Sequence, residues 1–196
     1  MLQYFIIYKP FQVLSQFTST EGKTTLNDLF KVAPDVYPVG RLDYDSEGLL
    51  LLTNDKQVNH LLLHPDFAHE REYWVQVEGS ITGEAISQLS RGVSIAIDGK
   101  IHRTKPARAI AFSEEPAVPP RNPPIRFRQN IPTSWLSLSL TEGKNRQVRR
   151  MTAKTGFPTL RLIRYRIGTL TIRDLQPGEM MELDRNTFYK GTGIGR

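Results

Sequence analysis

The densest group of reactive side chains is Gly40-Arg41-Leu42-Asp43-Tyr44-Asp45-Ser46-Glu47-Gly48, which sets three carboxylates within five positions beside one arginine. It runs directly into Leu49-Leu50-Leu51-Leu52-Thr53, a continuous apolar run that reads as a buried strand. A carboxylate on a loop entering such a strand sits on a rigid support, and if ionised it can act as nucleophile or general base. The same residues also suit an acidic turn whose Asp side chains bond their own backbone, and residue type alone favours that plainer reading. A second group, Leu140 to Met151, clusters arginines at a helix start, where first-turn amides add positive potential. A solvated basic face is the plainer account of Arg150 and Lys154 there. His60, His64, His69 and His102 make no recognisable metal-ligand motif, and no metal is expected. Without cysteine there is no thiol nucleophile, disulfide framework or Cys-ligated zinc.

These groups need elements to hold them. Tyr4 to Tyr8 reads as a first strand closed by Lys9-Pro10. Thr25 caps a short helix with apolar positions at Leu26, Leu29 and Phe30. Asn54-Asp55 caps a helix through Leu63. Tyr73, Val75 and Val77 alternate in a strand over Glu72 to Glu78, and Val93 to Ile97 alternates again after a helix over Thr82 to Arg91. Leu136, Leu138 and Leu140 mark a half-buried strand. Asn145 is placed to cap a helix over Arg146 to Lys154, with Val148, Met151 and Thr155 as its inner stripe. Thr159 to Ile167 is one more strand. Ala117 to Pro132, with five prolines and the basic pair Arg126 and Arg128, is an exposed connection. Strands and helices mix irregularly, which predicts an α+β fold: one large, mostly antiparallel mixed sheet flanked by helices. The glycine-rich end of the chain is expected to be a mobile tail from residue 188 to 196.

The 196 residues suffice for one domain or two packed lobes, and 39% hydrophobic with 23% charged residues argues against disorder. No apolar run is long enough for a membrane span, and the expected compartment is the cytoplasm. The formal charge is +6, but its distribution matters more. Arg121 to Arg173 holds 12 basic residues against Glu142 alone, while 14 basic and 19 acidic residues occupy the rest. Such a block on a slightly acidic background is the footprint of a polyanionic partner.

The segment from Gly40 to Thr53 closely resembles the signature that carries the catalytic aspartate in pseudouridine synthases of the RsuA-like family. In that family the aspartate follows Gly-Arg-Leu, which maps onto Asp43, whereas Asp45 and Glu47 match neighbouring positions that shape the loop. Arg71-Glu72-Tyr73 resembles the family's basic residue, spacer and active-site tyrosine at the head of a strand. Gly143-Lys144-Asn145-Arg146-Gln147-Val148-Arg149 resembles its Gly-Lys motif, in which a basic residue pairs with the catalytic aspartate. That residue maps onto Arg149. Arg146 stands where many relatives have histidine, so that histidine's role does not transfer. Lys9-Pro10 resembles the N-terminal motif that supports the active-site loop. Many members carry an S4-type domain ahead of that motif, and this chain is expected to lack one.

The resemblance implies one catalytic domain over residues 1–187 that isomerises uridine to pseudouridine in ribosomal RNA, with 23S favoured over 16S. No cofactor is implied, because the reaction has no net redox change or hydrolysis. Asp43 would attack the ribose or assist glycal formation. Tyr73 would stack on the uracil and help remove the C5 proton, and Arg149 would pair with Asp43. Arg41, Arg71, Lys144, Arg146, Arg150, Arg161, Arg164 and Arg166 are candidates for RNA contact, although strand alternation means the last three cannot all face one way. The expected protein is a monomer. Two rivals share parts of the pattern: a non-catalytic RNA-binding or ribosome-assembly protein, which needs only the basic block, and a glycoside or nucleoside hydrolase using Asp43 with Glu47.

Overall fold

The computed structural model describes residues 1–64, 67, 69–126 and 128–194. The chain divides into two compact units: unit 1 is Met1–His69 with Ile163–Arg196, and unit 2 is Glu70–Leu162. The strands form mixed, mostly antiparallel sheet, with helices in both units, as the α+β reading requires.

Unit 1 opens with β1 (Tyr4–Lys9), the short strands β2 (Val13–Leu14) and β3 (Thr24–Thr25), and α1 (Leu26–Leu29). The helix starts where Asp28 accepts from the Thr25 N–H at 2.7 Å, a reciprocal cap. Next come β4 (Tyr37–Pro38), β5 (Glu47–Thr53) and α2 (Lys56–Leu63), the last capped by Asp55 accepting from Gln57 N. β5 runs antiparallel to β1, pairing Tyr4 with Thr53 and Lys9 with Gly48. Leu50 and Leu52 join Phe5, Ile7, Leu26 and Phe30 in one cluster. Leu49 and Leu51, pointing the other way, are equally buried. A strand covered on both faces needs no alternation, which is why four consecutive leucines are accommodated.

Unit 2 contains β6 (Arg71–Glu78), α3 (Gly83–Arg91), β7 (Ser94–Ile97), β8 (Lys100–Arg103), β9 (Arg108–Ala111), β10 (Thr133–Leu140) and α4 (Gln147–Lys154). The strand β11 (Thr159–Ile167) begins in unit 2 and ends in unit 1. The order within unit 2 is β11-β6-β10-β9. Val75, Val77, Leu136, Leu138 and Leu140 on one face pack with Leu89 of α3 and Val148 and Met151 of α4. β7 and β8 form a separate hairpin closed by Asp98 (φ 48°) and Gly99 (φ 77°). α4 departs from expectation at its start. Its cap is Arg146 in the left-handed region (φ 52°), not Asn145, and Thr152 replaces Thr155 on the buried side.

The chain ends in unit 1 with β12 (Leu170–Thr171), β13 (Met180–Leu183) and α5 (Arg185–Thr192), so unit 1 has the order β13-β1-β5-β11. The expected mobile tail is corrected here. Asp184 caps α5, Phe188 is fully buried with its ring 5.0 Å from that of Tyr4, and Ile194 is buried. The glycines read as flexible serve packing: a Cβ on Gly191 would lie 2.3 Å from Leu170 Cδ2, and Gly193 ends the helix at φ 77°. Residues 195 and 196 lie outside the described residues.

Candidate active site

In unit 1 the loop carrying Asp43 is fastened at several points. Ser15 Oγ donates to Leu42 O at 2.8 Å and accepts from Leu42 N at 3.1 Å. Gln12 N donates to Tyr44 O at 2.8 Å. Ser46 N donates to Asp43 O at 3.0 Å, closing a turn that Asp43 opens. The acidic segment is thus a turn, closed through the backbone, and it carries Asp43 half-buried. Arg41 is exposed beside it.

Below the loop lies a cluster of buried charge. Lys9 is fully buried at the end of β1, and its Nζ donates to Pro10 O and Val13 O, each at 2.8 Å. Burial drives the Lys9 ammonium down to about 7, opposed by the nearby Glu47 carboxylate and reinforced by Arg164; Asp45 and Asp43 act weakly in the same sense as Glu47. Glu47 and Arg164 are themselves buried. Arg164 Nε donates to Leu49 O at 2.7 Å, where β5 and β11 run parallel with Gly48 opposite Arg164. Gly48 has φ 107°, and a Cβ there would sit 2.4 Å from Arg164 O. Glycine is needed to admit that approach.

In unit 2, Arg71 opens β6 and Tyr73 pairs with Leu138 of β10. Both are half-buried, and Tyr73 packs against the core cluster. Glu72, on the opposite face of the strand, accepts from Trp74 Nε1 at 2.9 Å and Ser137 Oγ at 3.0 Å. The turn before α4 is organised by Glu142. Its carboxylate accepts from Lys105 N at 2.9 Å, Gln147 Nε2 at 2.6 Å and His102 Nε2 at 3.1 Å. Burial pushes the Glu142 carboxyl up, but these three donors together hold it below the usual carboxylate range. Gln147 Oε1 accepts in turn from Lys144 N at 2.9 Å. Composition marked Glu142 only as the one acid in a basic block, and its anchoring role with Gln147 and His102 was missed. Arg149 is half-buried one turn into the helix, while Lys144 and Arg146 are exposed.

Four of the arginines expected to hold RNA donate to backbone carbonyls instead. Arg161 and Arg164 are buried, and Arg161 donates to Pro119 O at 2.9 Å. They brace backbone and are not surface cations, which corrects their assignment as phosphate contacts. Arg150 donates to Ala96 O and Asn145 O, tying α4 to β7. Arg166, half-buried, donates to Gly168 O. Asp43, Lys9, Glu47 and Arg164 thus gather in unit 1, whereas Tyr73, Arg71 and Arg149 belong to unit 2.

Comparison with known proteins gives a consistent picture. Residues 3–154 match the family model of RNA pseudouridylate synthases. The chain is 51% identical over 178 residues to the ribosomal large subunit pseudouridine synthase E of Vibrio vulnificus, covering 91% of this chain and 74% of that one. It is 47% identical to the protein of the same name from Xanthomonas campestris, covering 89% and 91% respectively. Among solved structures, a crystal structure of a pseudouridylate synthase matches with a TM-score of 0.79 at 25% identity, covering 97% of this chain and 74% of that one.

Proposed function

Because the chain belongs to the RNA pseudouridylate synthase family, we propose that it isomerises a uridine of 23S ribosomal RNA to pseudouridine, with Asp43 as the catalytic carboxylate. The supporting observation is the fastening of the Asp43 loop: a reactive carboxylate carried on a loop whose backbone is bonded at Leu42, Asp43 and Tyr44 by the Ser15 hydroxyl, Ser46 N and Gln12 N loses little entropy on reaction. The large-subunit preference follows from the names of the relatives at 47–51% identity. The same names leave a non-catalytic RNA-binding role without support.

The chemistry breaks the bond from the ribose C1′ to N1 of uracil and forms one from C1′ to C5. C5 loses a proton and N1 gains one, so the reaction balances without redox cofactor or water. Asp43 attacks C1′ or assists glycal formation. Tyr73 stacks on the freed base and helps carry the C5 proton, and Arg149 offsets the charge of Asp43. The base must leave its stack to be reached. Arg41, Lys144 and Arg146, all exposed, are the cations placed to meet flanking phosphates, with Arg71 at the head of its strand. The protein acts as a monomer in the cytoplasm; among the described residues no helix is long and apolar enough to cross a membrane.

The test is tritium release from rRNA labelled at C5 of uridine, comparing wild type with Asp43→Asn on 23S and 16S transcripts. Release from 23S by the wild type alone is expected. Normal turnover by Asp43→Asn would remove that residue from the chemistry.

A further inference from the structure

Among its described residues the connection from residue 113 to residue 132 has no regular secondary structure, yet it is tied down. Arg121 donates to Pro123 O at 2.8 Å and Leu160 O at 3.4 Å, Arg161 reaches Pro119 O, and Gly79 N donates to Pro132 O at 2.7 Å. Between this connection and the end of β6 lies a pocket of about 540 Å³, bordered by Gln76, Glu78, Arg126, Arg128, Asn130 and Thr133. That is room for a nucleotide, since small-ligand sites run from about 300 to 1,000 Å³.

The pocket is not the place of the target base. Side chains alternate along β6, so Tyr73, Val75 and Val77 face the core cluster while Gln76 and Glu78 face the other way. Its chemistry suits a polyanion with readable edges. Arg128 is paired with Glu78 at 2.9 and 3.1 Å, which fixes one wall. Arg126 is exposed, and among the described residues it has no hydrogen-bond or ion-pair partner. Gln76, only 7% exposed, holds its amide at the floor by donating to Thr133 Oγ1 at 3.1 Å. Trp135, its cross-strand neighbour, is buried beneath it.

We propose that this pocket is a second RNA-contact site, taking a single-stranded nucleotide that flanks the modified uridine. Arg126 holds its phosphate, and the amides of Gln76 and Asn130 meet its base edge, the group pairing by which side-chain amides read bases. The inference rests on the reading of this chain as an enzyme of RNA.

Arg126→Glu tests it, because an exposed side chain without partners can be reversed in charge without disturbing the fold. Lys31→Glu, an exposed position in unit 1, is the control for general electrostatics. Tritium-release kinetics and filter binding are run on deproteinised 23S transcript with the full chain. Arg126→Glu is expected to raise KM and Kd about tenfold, leave kcat unchanged, and shallow the salt dependence of binding by roughly one phosphate contact. Lys31→Glu is expected to do none of these. Unchanged KM, Kd and salt slope in Arg126→Glu would overturn the inference, as would equal losses in the two variants. A loss seen only with ribosomal particles would overturn it too, giving the pocket to a protein. Wild type that binds 23S RNA through Arg126 yet releases no tritium would overturn the proposed function and leave the contact site standing.

Discussion

Gly48→Ala should damage stability and turnover together. Gly48 holds φ 107°, where a non-glycine residue costs about 1–2 kcal/mol. The added methyl would lie 2.4 Å from Arg164 O and 2.7 Å from Arg164 N, both backbone, so β5 and β11 must part. Overpacking of that kind costs about 1–3 kcal/mol more. The sum, about 2–5 kcal/mol, is a large part of the roughly 5–15 kcal/mol that holds an ordinary domain folded. The disturbance falls next to the Arg164–Leu49 hydrogen bond and one residue beyond the end of the Asp43 loop, so Asp43 moves with it. Displacement by about 1 Å can cost on the order of 100-fold in rate. Urea unfolding should show a lower midpoint at unchanged slope, and tritium release at saturating RNA should show a lower kcat. Gly22→Ala supplies the comparison: φ is 70° but nothing lies within 4 Å, so only the conformational strain of about 1–2 kcal/mol should appear. If Gly48→Ala were no less stable than Gly22→Ala, the close approach would not matter. If it were destabilised but turned over normally while folded, the strand pairing would not position Asp43.

Lys9 predicts a pH signature. Burial lowers its folded pKa to about 7 against 10.5 for the free group, so between those values the unfolded chain binds the extra proton and stability rises with pH. Chemical denaturation from pH 7 to 10 should show a Lys9 contribution of at most about 1.4 kcal/mol per pH unit, absent in Lys9→Met. Glu142→Ala strands the Lys105 N–H, the Gln147 amide and the His102 ring, and should cost about 2–4 kcal/mol by urea unfolding. Because the folded Glu142 carboxyl is held low, its contribution is present at neutral pH and lost as pH falls through the carboxylate range; the variant should show a shallower acid limb. Phe188→Ala should cost about 3–5 kcal/mol if α5 is part of unit 1, and a midpoint equal to wild type would restore the mobile tail.

The regular elements were legible where residue pattern and burial coincide. β11 is read to the residue from Thr159 to Ile167, α2 begins beside the expected cap Asp55, and α3 fills the helix expected over Thr82 to Arg91, with Thr82 as its cap. β8 was missed although its signal was present: Asp98-Gly99 lies between two alternating stretches and adopts positive φ at both residues, as a tight hairpin requires. The tail was misread because glycine was taken as freedom, whereas Gly191 is small so that Leu170 can pack on it. The arginines of β11 misled for a related reason. Charge counts cannot see that Arg161 and Arg164 spend their guanidinium groups on Pro119 O and Leu49 O. The three motif groups themselves, at Asp43, Tyr73 and Arg149, were visible only through family resemblance, since one acidic turn, one strand tyrosine and one helix arginine are each ordinary alone.

Why unit 1 buries Lys9, Glu47 and Arg164 at all is a question of backbone. Well-packed apolar residues in place of such charges are often neutral or stabilising. Here, though, the cations do more than face a carboxylate. Lys9 serves Pro10 O and Val13 O where the chain leaves β1, and Arg164 serves Leu49 O as the chain enters β5 from the Asp43 loop. A loop that displays a carboxylate is irregular, and irregular buried carbonyls need donors that no ladder supplies. Long cationic side chains deliver those donors, and Glu47 offsets the charge they bring. The loop's irregularity and the buried charge are therefore one design problem with one solution. It follows that Lys9→Arg should not substitute well: a planar fork cannot fill the space of an ammonium that reaches two carbonyls from a fully buried position.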